Sequence, residues 1–221
     1  MAKAILFDLD GTLIDSAPDL SAAIDAVLVD LGYAPAGIDK VRAWVGNGAA
    51  LLATRALAHA KHVSESEIST AEAADVLARF KTVYRSNCCH KSELYEGVIE
   101  TLAYFAKQSY RMAIVTNKPY EFAEQMVNHY GLKAFCPVLI GGDSLPTKKP
   151  DPEVLYYAAK ALNVPIENCV MVGDSKSDVL AAKAAGIVCY GLSYGYHRGD
   201  DLLALGAQQL LADFSKLQGL L

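Results

Sequence analysis

Apolar residues fall along this chain in two rhythms. In the second half, short apolar runs alternate with segments of helical period, the pattern of βα units that feed a parallel sheet. The runs Ala4 to Phe7, Met112 to Thr116, Val138 to Ile140, Cys169 to Val172 and Val188 to Tyr190 predict its strands. The first, second and fourth stop at polar residues. In open α/β sheets ligands collect beyond the carboxyl ends of the strands, so Asp8, Thr116 and Asp174 are expected to converge on one crevice although they lie far apart in sequence.

From about Asp15 to about Leu94 the rhythm changes to helical patterns with no buried strand. A helix is predicted from Pro18, well placed as a first-turn residue, to Leu31, with Gly32 as its stop. Its apolar positions Leu20, Ala23, Ile24, Val27, Leu28 and Leu31 share one face. Further helices are predicted at Val41 to Val45, Ala49 to His59 and Ala71 to Tyr84. The expected architecture is a doubly wound, Rossmann-like α/β core made of residues 1–14 and 95–221. An all-helical cap of residues 15–94 is inserted over the crevice, joined by two short hinges.

With 221 residues, 52% of them apolar, the chain can bury a substantial core. A formal charge of −5 gives no broad positive field for a polyphosphate backbone, so nucleic acid is not an expected partner. Small anionic substrates remain open, because a bound cation and a few lysines can reverse the field within one cleft. No apolar run approaches a membrane span, and the first ten residues lack a secretory pattern. The expectation is a cytoplasmic protein without membrane contact, as a monomer or a homodimer. Cys88, Cys89, Cys136, Cys169 and Cys189 have neither zinc-site nor disulfide spacing and read as free thiols.

The candidate chemistry begins at Asp8, Leu9, Asp10, Gly11, Thr12. Two carboxylates one residue apart at a strand end, followed by a glycine turn, suit a nucleophile paired with an acid/base, or a solvated turn if they stand alone. Gly173, Asp174, Ser175, Lys176, Ser177 and Asp178 repeat the pattern at a later strand. A phosphate beside Asp8 and Asp174 needs a cation, and such oxygen ligands suit magnesium. Asp178 reads either as an outer partner of that site or as an acid favoured by a helix dipole. Thr116 and Asn117 precede Pro119 at a helix start, as an anion site or as simple caps. Lys148 and Lys149, before Pro150-Asp151-Pro152, could neutralise the phosphate and Asp8, or be solvated.

Together these four segments resemble the ordered motifs of the haloacid dehalogenase superfamily of phosphotransferases, over nearly the whole chain. The resemblance implies Asp8 as nucleophile, Asp10 as acid/base and Lys149 as the catalytic lysine. It also implies Mg2+ held by the Asp8 side chain, the Asp10 carbonyl and Asp174, and phosphate held by Thr116 and Asn117, with Gly11 and Thr12 of the first turn beside them. The second acid, Asp10, is what dehalogenase and phosphonatase relatives lack. The run Trp44, Val45, Gly46, Asn47, Gly48, Ala49 is similar to the cap loop of bacterial phosphoglycolate phosphatases. Leu192 to Tyr196 is similar to the loop after their last core strand. Gly46, Asn47 and Gly48 are therefore expected to contact a small phosphorylated metabolite. Other phosphoesters, pyrophosphate, a phosphomutase reaction and a silent phosphate-binding role stay open. Arg42, Arg55 and Arg198 read either as partners of a substrate carboxylate or as surface arginines, the second being preferred.

Overall fold

A computed structural model describes residues 3–221. The run Ala4–Phe7 forms β1, with all four residues buried. A strand without a polar face must be covered on both sides. Accordingly, Ile5 and Phe7 enter one apolar cluster, while Ala4 and Leu6 enter another.

Beyond the turn that begins at Asp8, the chain enters β2 (Ile14–Asp15) and then four helices, α1 (Ala17–Asp30), α2 (Ile38–Arg42), α3 (Ala49–Lys61) and α4 (Thr70–Asn87). It returns in β3 (Glu93–Leu94), which pairs antiparallel with β2, Ile14 opposite Leu94 and Asp15 opposite Glu93. The rest alternates: α5 (Val98–Lys107), β4 (Arg111–Val115), α6 (Tyr120–His129), β5 (Val138–Ile140), α7 (Glu153–Ala161), β6 (Cys169–Gly173), α8 (Lys176–Ala185), β7 (Val188–Leu192), α9 (Leu202–Leu205) and β8 (Gln209–Leu211). The main sheet is parallel throughout, in the order β5-β4-β1-β6-β7-β8. The order reverses around β1, so the crevice for ligands opens where Asp8 follows that strand.

The predicted strands are all present, and two are longer than their apolar runs. The parallel register of Gly173 with Gly191, and of Leu192 with Leu211, carries β6 and β7 past the residues that look strand-like alone. Strand β8 had no signal, because it is an edge strand with Gln209 and Leu210 exposed. In the helical segment, α2 ends at Arg42 and not at Val45. Arg198 takes the carbonyls of Trp44 and Val45, and Gly46, at φ 110°, turns the chain away.

Helix α4 opens on a reciprocal cap between Ser69 and Glu72. Its buried residues Val76, Phe80 and Tyr84 recur every four positions, one apolar stripe on a helix that packs against α1 and α3. The Phe80 and Tyr84 rings stack at 5.2 Å, and Tyr84 meets Phe122 of α6 edge-on at 5.0 Å. Asp19 of α1 is buried, and its carboxylate accepts from the backbone N–H groups of Lys91 and Ser92 and from the Ser92 hydroxyl. That carboxylate ties the start of the helical segment to its return. Among the described residues, no helix is long and apolar enough to cross a membrane.

Candidate active site

Three buried acids meet beyond the carboxyl ends of β1 and β6. Asp8, Asp174 and Asp178 each offer a carboxylate oxygen within 4.8 Å of the others. Burial raises the Asp8 carboxyl to about 6, with Lys149 pulling down and Asp178 and Asp10 pushing up. Asp174 is raised well above the ordinary carboxylate range, first by burial and then by Asp8 and Asp178. Such a surplus of negative charge away from water calls for a cation.

Lys149 supplies part of that charge. Its ammonium donates to Asp178 Oδ1 at 2.6 Å and to the Val115 carbonyl at 2.5 Å, and it lies 2.9 Å from Asp8 Oδ1. Burial opposes its charge, but Asp178 and Asp8 prevail and raise its pKa. The approach to Asp8 Oδ1 is at ion-pair distance but outside hydrogen-bond alignment, which leaves that buried oxygen without a hydrogen-bond partner. Asp178 combines both alternatives left by the sequence. Its Oδ1 holds Lys149, while its Oδ2 accepts from the Ser175 N–H and hydroxyl as the cap of α8.

Asp174 is framed by the first turn. Thr12 donates its hydroxyl to Asp174 Oδ1 at 2.8 Å, and the Tyr196 N–H donates to Oδ2 at 2.5 Å. Gly11 sits at φ +84°, and a Cβ there would lie 2.2 Å from Asp174 Oδ2. A side chain at position 11 would be both strained and in collision with the carboxylate. Gly11 and Thr12, expected beside phosphate, are thus seen supporting Asp174.

On the other side of β1, Asp10 accepts from Ser16 Oγ at 2.5 Å and from Lys118 Nζ at 3.0 and 3.3 Å. Lys118 also donates to the Tyr84 hydroxyl at 2.9 Å. Neither Lys118, Tyr84 nor Ser16 was expected at the site. A lysine after Thr116-Asn117 reads as solvated, and Tyr84 reads as core because it completes an apolar stripe.

Asp8, Asp10, Thr116, Asn117, Gly46 and Gly48 all line one small cavity of about 30 Å³ that opens to solvent. The helical segment adds an apolar wall that includes Leu52 and Phe80. Asn117 bridges to this segment: its amide donates to the Gly46 carbonyl at 3.2 Å and to the Lys149 carbonyl at 3.0 Å. Asn47 does not line the cavity. It faces a neighbouring cleft, with its carbonyl on Lys148 Nζ and its Oδ1 on Arg55. Arg55 and Arg198 are corrected from surface residues to braces of the Trp44–Gly48 loop. Arg55 also holds the Trp44 carbonyl, and Arg198 holds those of Trp44 and Val45. Arg42 pairs with Asp15 at 2.8 Å on the surface. The five cysteines are free, and burial pushes the Cys88 thiol up to about 12.

The model of the haloacid dehalogenase-like hydrolases matches residues 5–192. The chain is 44% identical over 218 residues to a phosphoglycolate phosphatase of Pseudomonas fluorescens (strain Pf0-1), covering 98% of this chain and 79% of that protein. It is also 44% identical over 215 residues to a phosphoglycolate phosphatase of Colwellia psychrerythraea, covering 97% and 95%. Its fold superposes, at a TM-score of 0.92 and 35% identity, on a crystal structure described as a predicted phosphoglycolate phosphatase from Haemophilus somnus 129pt, covering 99% of this chain and 97% of that one.

Proposed function

This chain belongs to the haloacid dehalogenase-like hydrolase family, and from that premise we propose that it is a magnesium-dependent phosphatase converting 2-phosphoglycolate to glycolate and phosphate. The observation that carries the substrate is the cavity shared by Asp8 and Asp10. Beside the groups that face phosphate, its wall offers Leu52, Phe80 and Phe122 and the cation Lys118, which suits a short anionic ester and leaves the hydroxyls of a sugar without partners. The two relatives above carry the name phosphoglycolate phosphatase.

The three crowded buried acids fit a hard divalent cation, with Asp8, Asp174 and the Asp10 carbonyl as the groups that would hold it. A Mg2+ held by these residues would supply positive charge to offset the carboxylates and the phosphoryl group. The other parts are the chain's own. In the first step an Asp8 oxygen bonds to phosphorus while the bond to the leaving oxygen breaks, and Asp10 gives that oxygen its proton. In the second, water attacks phosphorus, Asp10 takes its proton, and the bond to Asp8 breaks to release phosphate. Lys149, held by Asp178, offsets charge at Asp8. Thr116 and the amides before α6 receive phosphoryl oxygens. The segment from α1 to α4 serves as a cap whose Gly46–Gly48 loop closes the site from above and excludes water.

Purified protein with Mg2+ is expected to release phosphate from 2-phosphoglycolate with a higher kcat/KM than from sugar phosphates, nucleotides or pyrophosphate. Asp8→Asn is expected to lower kcat at least about 10⁴-fold. A better substrate in that series would replace 2-phosphoglycolate. Turnover retained in Asp8→Asn would remove Asp8 from its role.

A further inference from the structure

Lys118 is the one cation on the wall of the cavity, among the described residues that line it. Its side chain is only 3% exposed. Its ammonium lies 4.8 Å from the centre of the Tyr84 ring and donates to the Tyr84 hydroxyl. The phenol proton of Tyr84 has a weak acceptor, Met126 Sδ at 3.9 Å. Two donors, one charged and one neutral, therefore stand together beside the apolar part of the chamber wall, Leu20, Leu52, Phe80 and Phe122, one supplied by the loop after β4 and the other by α4.

The carboxylate that Lys118 holds, Asp10, does not depend on it alone. Ser16 donates to the same Asp10 oxygen at 2.5 Å, so Asp10 keeps a hydrogen-bond donor if the ammonium turns away. A lysine with a flexible four-carbon stem can be shared between Asp10 and a second anion in reach. The apolar wall makes the choice of ligand sharp. A charged group placed there needs Lys118 and Tyr84, whereas an uncharged methyl group is accommodated without them.

Resting on the reading of this chain as a phosphatase for 2-phosphoglycolate, we propose that Lys118, assisted by the Tyr84 hydroxyl, is the receptor for the substrate carboxylate and sets the preference for acidic over neutral two-carbon phosphoesters. Lys149 and the proposed metal site face the phosphoryl end. Lys118 faces the other end.

The test measures kcat/KM for 2-phosphoglycolate and for ethyl phosphate, an ester of the same length without the carboxylate, in wild type, Lys118→Met, Lys118→Arg and Tyr84→Phe. Wild type is expected to favour 2-phosphoglycolate. In Lys118→Met that ratio is expected to fall about 10- to 100-fold, the scale for losing a charge-assisted hydrogen bond in a desolvated site. In Tyr84→Phe it should fall about 3- to 10-fold. Lys118→Arg should recover part of the preference, because the charge stays. An effect of Lys118 exerted only through Asp10 falls on both esters alike, since both need a protonated leaving oxygen, and leaves the ratio unmoved. An unmoved ratio in Lys118→Met, with the wild-type preference intact, overturns the role of Lys118 and spares the substrate reading. No preference in wild type overturns both. If Lys118→Met does not fold, Tyr84→Phe still decides, because it keeps the ammonium and the ring and removes only the hydroxyl: an unmoved ratio there overturns the paired receptor.

Discussion

Two buried lysines flank β1, and they are held in opposite ways. Lys149 is gripped by the sheet side: it donates to a β4 carbonyl and to the cap carboxylate of α8, and it lies at ion-pair distance from Asp8. Lys118 is held by one acid and by a phenol that reaches in from the helical segment. In the proposed mechanism the first arrangement fixes a charge where every phosphoester reacts. In the proposed recognition the second leaves a charge that can change partners, on the side where substrates differ. Loss of a sheet-side group should damage turnover of all esters equally, whereas loss of a group on the helical side should act on recognition.

The largest effect is expected from Lys149→Met. It leaves Asp8 and Asp178 as unpaired buried carboxylates, which should cost about 3–5 kcal/mol in denaturant unfolding of the metal-free protein. It should also lower kcat at least about 10³-fold for acidic and neutral esters alike. A loss confined to one ester would break the division between the two sides.

A smaller effect is expected from the metal site. Metal-free protein should lose stability as pH rises from about 4 to about 6. In this range Asp8 keeps its proton when folded and has lost it when unfolded, so the unfolded chain binds fewer protons. Magnesium at about a hundred times its Kd should restore about 2.7 kcal/mol. In Asp174→Asn the metal-free protein should be more stable at neutral pH, and the gain from magnesium should largely vanish. Thermal scans with and without magnesium across this pH range check both signs. Equal magnesium stabilisation in wild type and Asp174→Asn would sink the ligand assignment.

The smallest effect belongs to the loop braces. Arg55→Ala loses the bonds to the Trp44 carbonyl and Asn47 Oδ1, while its partly exposed pair with Glu65 adds little. Steady-state kinetics should show KM for 2-phosphoglycolate up by about 3- to 10-fold, with kcat nearly constant. A fall in kcat without a change in KM would place the loop with the sheet side.

Legibility in the sequence follows the physics of burial. Strand β1 is plain because both its faces are covered, so every residue is apolar. Strand β8 is silent because it is a half-exposed edge. Asp8, Asp10, Asp174 and Thr116 can be located because each lies just beyond a strand end, and Lys149 because it directly precedes Pro150-Asp151-Pro152; parallel topology brings the strand ends together. Lys118 and Tyr84 cannot, since their meaning arises from packing between α4 and the loop after β4, which no local pattern encodes. Gly11 and Thr12 are visible as a turn, but their service to Asp174 depends on a neighbour distant in sequence. Asp19 was missed for the same reason: a carboxylate in a helix's first turn looks like a dipole partner until the chain returns at Lys91 and Ser92.

The antiparallel pairing of Ile14 with Leu94 and Asp15 with Glu93 has a topological meaning. Seen from the six-stranded sheet, everything between Asp15 and Glu93 is the loop of a single β-hairpin. Its ends are already adjacent, and the entropy of closing such a loop grows only slowly with its length. Helices can therefore be lengthened, exchanged or grafted from another chain at this stem while the strand order around β1 is preserved. The proposed reacting groups at the strand ends and the helical wall of the cavity can thus diversify separately within one polypeptide.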